Sequence, residues 1–114
     1  MKKLVFLTLL LLPACSLNLY KENLSLGIRA ARLRLWKEAL YRFQRAAELR
    51  ETAQAYNNMA VAYEALGDFE RAEECYKKAL ALDPKNRLIK ANYAIFLELK
   101  RKVKGREKKR RKGK

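Results

Sequence analysis

Apolar positions across residues 53–86 follow two patterns of helical period. Ala55, Met59, Ala62, Tyr63 and Leu66 share one face at steps of three and four, and Phe69, Ala72, Tyr76, Ala79 and Leu80 repeat the arrangement. Gly67 and Asp68 split the two runs, and Asp83 and Pro84 close the second. Gly67 is able to take the left-handed conformation that ends a helix, and Asp68 can accept hydrogen bonds from the free amides that begin the next. Pro84 cannot continue a helix and biases Asp83 away from one. The pattern therefore predicts a helical hairpin marked at both ends. Small side chains beside large ones, Ala60 and Ala62 near Tyr63, Ala72 and Ala79 around Tyr76, let its two helices approach closely while the rings fill the gaps.

The positions of Tyr56, Met59, Ala60, Tyr63, Ala72, Tyr76 and Pro84 resemble the tetratricopeptide repeat, whose signature runs over about 34 residues. Tyr56, Met59 and Ala60 stand where that signature has Trp, Leu and Gly. An earlier copy lies in residues 20–52: Gly27, Ala39, Phe43 and Ala46 precede Ala60, Ala72, Tyr76 and Ala79 by 33 residues, and Leu26 precedes Met59 by the same interval. Trp36, Ala39, Leu40, Phe43 and Ala47 form the apolar face of its second helix. Arg34 and Leu35 replace Gly67 and Asp68, and Arg50 and Glu51 replace Asp83 and Pro84, so a looser turn and a less sharply ended helix are expected there. Thr52 is expected to cap the next helix. Residues 87–99 begin a third copy that supplies only a first helix, as a terminal capping helix would. The expected fold is all-α: about two and a half repeats, five helices, in the short right-handed superhelix that the resemblance implies. Ile89, Tyr93, Ile95, Phe96, Leu97 and Leu99 make the last helix apolar on most sides, which leaves open a partner or a second copy of the chain on part of it.

Charge adds two flanking segments to this body. The 114 residues hold 27 Lys and Arg against 12 Asp and Glu, a net charge of +15. Most of the excess sits in residues 100–114, where Lys100, Arg101, Lys102, Lys104, Arg106, Lys108, Lys109, Arg110, Arg111, Lys112 and Lys114 face a single acid, Glu107. Such a segment cannot form a core and is expected to be mobile, a polyanion-binding tail with no aromatic residue for base stacking.

The first fifteen residues read as two lysines, the apolar run 4–12, then Pro13, Ala14 and Cys15. The run is too short for a permanent bilayer span and suits an export signal. Residues 12–15 resemble the lipobox of bacterial lipoproteins, with Pro13 in place of the more usual Ala, Ser or Thr. That resemblance implies a signal over residues 1–14, acylation of Cys15, and a short tether over residues 15–19. Ser16 in second place then favours an outer membrane, facing the periplasm, in a two-membraned bacterium.

Chemistry is scarce. The chain has no histidine, which removes the usual general base and metal ligand. Its two cysteines, Cys15 and Cys75, have no CxxC spacing, and no phosphate-binding glycine loop is present. No enzyme, metal or cofactor is expected. By resemblance, function falls to the concave surface lined by the first helix of each repeat, where a segment of another protein would lie. Aligning the copies puts Ile28, Val61 and Ile95 in one row, Leu24, Asn57 and Ala91 in a second, and Ser25, Asn58 and Asn92 in a third. An apolar row beside amides suits a peptide with one anchoring side chain. The leading expectation is a scaffold anchored in the cell envelope by its N-terminal lipid, its tail on anionic lipids or envelope polyanions. The alternative is a cytoplasmic adaptor whose tail binds nucleic acid without sequence preference.

Overall fold

The computed structural model describes the backbone from Lys2 to Lys114 and the side chains from Ala14 onward, so the expected export signal, apart from Ala14, falls outside the described side chains. Five helices follow one another: α1 (Lys2–Arg32), α2 (Trp36–Leu49), α3 (Ala53–Ala65), α4 (Phe69–Leu82) and α5 (Arg87–Lys112). They form helical hairpins of the tetratricopeptide type, as expected.

Each helix end is fixed by local chemistry. Gly67 adopts φ 80°, and the amides of Gly67 and Asp68 reach back to the carbonyls of Glu64 and Tyr63 at 3.0 and 2.9 Å. Asp68 then caps α4 by accepting from the Arg71 amide at 3.2 Å. Thr52 caps α3 as expected, accepting from the Ala55 amide at 3.1 Å, and its hydroxyl also shares a 2.8 Å hydrogen bond with the Tyr20 phenol. Asn86 caps α5 through the Ile89 amide.

The first repeat corrects the expectation of a looser turn. Arg34 takes φ 60°, and the amides of Arg34 and Leu35 bond the carbonyls of Ala31 and Ala30, both at 2.9 Å, in the same pattern as the glycine turn. The α2 end is likewise as sharp as that of α4. Arg50 and Asp83 both leave the helical conformation, at φ −149° and −143°, and their amides bond Ala46 and Ala79 at 2.9 and 3.0 Å. Packing of α1 on α2 imposes this geometry where the local residues do not: a side chain at Gly27 would sit 2.4 Å from the Phe43 ring, so the helices are in direct backbone-to-ring contact.

Two apolar clusters build the core. One joins the first two hairpins through Tyr20, Leu24, Ala39, Phe43, Ala46, Ala55 and Ala62; the other joins α3, α4 and α5 through Ala60, Ala72, Cys75, Tyr76 and Phe96. Tyr56 and Met59 pack against both. In the second cluster the ring centroids of Tyr76 and Phe96 lie 5.3 Å apart, with Tyr93 and Phe69 completing the stack. Burying a ring such as Phe96 contributes about 1.5–3 kcal/mol, so this stack holds α5 in place.

Two long helices set the outline. α1 has 31 residues and α5 has 26, against 13 or 14 for those between. Residues 15–19 are therefore part of α1, where a tether was expected, and α5 continues well past Leu99 into the basic segment. Short turns reverse the chain each time, so α1, α3 and α5 run in one direction. The N-terminal overhang of α1 and the C-terminal overhang of α5 project from opposite ends, and the molecule measures 76 × 29 × 20 Å.

Candidate peptide-binding groove

A hollow of about 320 Å³ opens where α1, α2 and α3 meet, lined by Ile28, Ala31, Arg32, Trp36, Phe43, Asn58 and Val61. Side-chain size differs between the repeats next to it. Phe69 begins α4 and meets Phe96 of α5 at 6.0 Å. Trp36 holds the equivalent place in α2, but the residue equivalent to Phe96 is Ala62. An alanine methyl fills less space than a phenyl ring, and Ala62 is itself fully buried in the first core cluster while Trp36 borders the hollow.

The lining is mostly apolar. The Asn58 amide and Trp36 indole supply neutral hydrogen-bonding groups, and Arg32 supplies a positive charge at the rim. This is the composition of a site that buries an apolar side chain and fixes the chain around it with a few directed polar groups.

Three of the sequence-selected groove residues, Ile28, Asn58 and Val61, meet in this hollow, and four do not. Leu24 is buried in the first core cluster. Asn57 is buried as well, and its carbonyl oxygen accepts a 3.2 Å hydrogen bond from the Asn92 amide, tying α5 to α3. These two asparagines therefore tie helices together, and neither lines the hollow. Ile95 is 66% exposed on α5, outside the hollow, and forms an open apolar stripe with Leu88 and Leu99. Trp36 and Arg32 were not foreseen as lining. Trp36 was marked in the sequence as part of the apolar face of α2, whereas no pattern marked Arg32.

The basic segment divides in two. The Lys100 ammonium pairs with the Glu73 carboxylate against the body, and its hydrogen bond holds the Glu73 carboxyl below the usual range. Arg101 and Lys102 both pair with Glu98, at 2.9 and 3.5 Å. These three of the expected polyanion-binding cations are thus partly neutralised. From Lys104 outward the cations are exposed on a helix that continues to Lys112.

Cys15 is exposed on α1, and Cys75 is buried beside Tyr76, where burial pushes its thiol up to about 11. Among the described residues there is no group of three or more Cys, Asp or Glu placed to hold a metal ion. Nor, among those residues, is any helix long and apolar enough to cross a membrane.

Stacked helical hairpins with small-to-large packing define the class of helical-repeat folds. Residues 53–86 match the tetratricopeptide repeat family model, over the stretch that the helix pattern marks as the complete hairpin. A repeat of that family suggests a protein–protein interaction module. No curated protein matches the chain.

Proposed function

We propose that the protein is a non-catalytic scaffold that seats an apolar side chain of a partner protein in the hollow between α1 and α3, and that a lipid on Cys15 holds it at the bacterial envelope. The observation that carries the first half is the convergence of Ile28 and Val61, which share one repeat position, with Asn58 from a second position on one open apolar hollow. The exposed stripe of Leu88, Ile95 and Leu99 extends the apolar surface onto α5. It would serve a longer partner segment, or a second copy of the chain, and sedimentation across a wide concentration range separates these.

The anchoring half rests on the sequence of residues 12–15 and on the exposure of Cys15 ahead of Tyr20, the first buried core residue among the described ones. Two or three acyl chains at about 0.8 kcal/mol per buried methylene give durable attachment. Mass spectrometry of the membrane fraction is expected to show an acylated Cys15 at the N-terminus. Intact Met1 in the soluble fraction would favour the cytoplasmic adaptor instead, whose support is the exposed cationic end of α5.

The groove is tested with a displayed library of random peptides selected on the full chain. Selected binders are expected to share an apolar anchor and to lose at least tenfold in affinity to Val61→Glu and severalfold to Asn58→Ala. Binders indifferent to both substitutions would place recognition elsewhere.

A further inference from the structure

We infer that the C-terminal part of α5 is a binding arm for a phosphodiester polymer, carried at the end of the molecule remote from Cys15. Only its distance from a membrane rests on the acylation proposed above; its chemistry does not.

Direction is the first ground. α1 and α5 are parallel and overhang at opposite ends, which produces the 76 Å long axis. With Cys15 near the start of the described surface of α1, the tip of α5 lies roughly 45 Å further along, at about 1.5 Å per residue over the overlapping body and the overhang. A bilayer that received lipid on Cys15 would lie at the other end from the arm.

The second ground is how the charges are arranged. At about 100° per residue, Lys104, Arg106, Lys108, Lys109, Arg110, Arg111 and Lys112 surround the helix, leaving open only a strip about 100° wide that carries Val103 and Glu107. That strip turns toward the body, where both residues border a hollow beside the α3–α4 turn. A helix that lies in a membrane interface needs an apolar face, and beyond Val103 the arm has none. A flat headgroup plane would also leave half of the cations unmatched. A flexible or grooved chain of phosphates can meet them on several sides. The arm carries about one cation per 2 Å of axis, close to the charge spacing of about 1.7 Å along a phosphodiester duplex. Lys104 and Lys108, Arg106 and Arg110, and Lys108 and Lys112 are like-charged pairs four residues apart, and surrounding phosphates remove that repulsion.

The test uses the full, unacylated chain, so a failure of the Cys15 reading leaves it untouched. Binding is measured to a 20-base-pair duplex, a single-stranded oligonucleotide, poly(glycerol phosphate) and phosphatidylglycerol vesicles at equal phosphate concentration over a series of salt concentrations. At least one polymer is expected to bind tenfold more tightly than the vesicles. On duplex, the slope of log K against log salt should approach about −6, from about −0.9 for each phosphate neutralised. Replacing Lys108, Arg110, Arg111 and Lys112 together by Gln is expected to make that slope shallower by about 3–4 while circular dichroism shows the repeats folded. The polymers that bind identify the source: oligonucleotides point to nucleic acid, poly(glycerol phosphate) to an envelope polymer, and either supports the arm. Vesicles binding as well as every polymer, no polymer binding, or a four-fold Gln variant with an unchanged slope would overturn the proposal.

Discussion

Arg34 holds a left-handed backbone conformation that costs a residue with a Cβ about 1–2 kcal/mol, in a turn that copies the one Gly67 makes freely. Its neighbour Leu35 occupies the capping position of α2 without a side-chain hydrogen bond, while Asp68 caps α4. Arg34→Gly is therefore expected to stabilise the protein by about 1 kcal/mol. Leu35→Asp should add about 1 kcal/mol more by supplying the missing cap, both read as urea-midpoint shifts at constant slope. This turn also marks a limit of the sequence. Gly67 announces φ > 0 because only glycine accepts it without cost. Arg34 carries no such mark, since its conformation is imposed by α1 packing on α2.

At the scale of the element, α5 is held to the body by the Tyr76, Tyr93 and Phe96 rings, the Asn57–Asn92 bond and the Glu73–Lys100 pair. Glu73 has its acidity strengthened by Lys100, so its contribution is present above the ordinary carboxylate value of 4.5 and is lost as pH falls through the lowered folded value. Amide exchange in α5, corrected for intrinsic rates, is expected to accelerate below pH 4.5, and Glu73→Gln should remove most of that dependence. The hairpin at residues 53–86 was legible because period, turn, cap and proline all agree there. The length of α5 was not. Charge density argued for an irregular tail, yet Lys, Arg and Glu are good helix formers, and Gly105 is the one poor residue between Lys100 and Lys112. Groove residues were legible by side and not by depth. Alignment put Leu24 and Ile28 on neighbouring rows, but whether a row is covered depends on the helix beyond it.

For the whole molecule, the two core clusters touch through Tyr56 and Met59, so the hairpins are coupled without sharing one core. Phe96→Ala is expected to cost about 3–5 kcal/mol and to fall mainly on the α4–α5 junction. Limited proteolysis should then cut α5 while the α1–α2 hairpin remains protected. The reverse order would show that the first repeat depends on the last.

Gly27 sets the distance between α1 and α2 by touching the Phe43 ring, and Phe43 is also part of the hollow's wall. The same contact that fixes the spacing of two helices thus fixes the bore of the groove. A single methyl at this point, Gly27→Ala, acts as a wedge. It would force the Phe43 ring or α1 to shift and change the size of side chain the hollow accepts, without altering any of the groups that would touch a ligand through hydrogen bonds. Comparing peptides selected on this variant with those selected on the original chain should reveal a change in anchor size. Specificity in this fold is thereby adjustable from behind the binding surface.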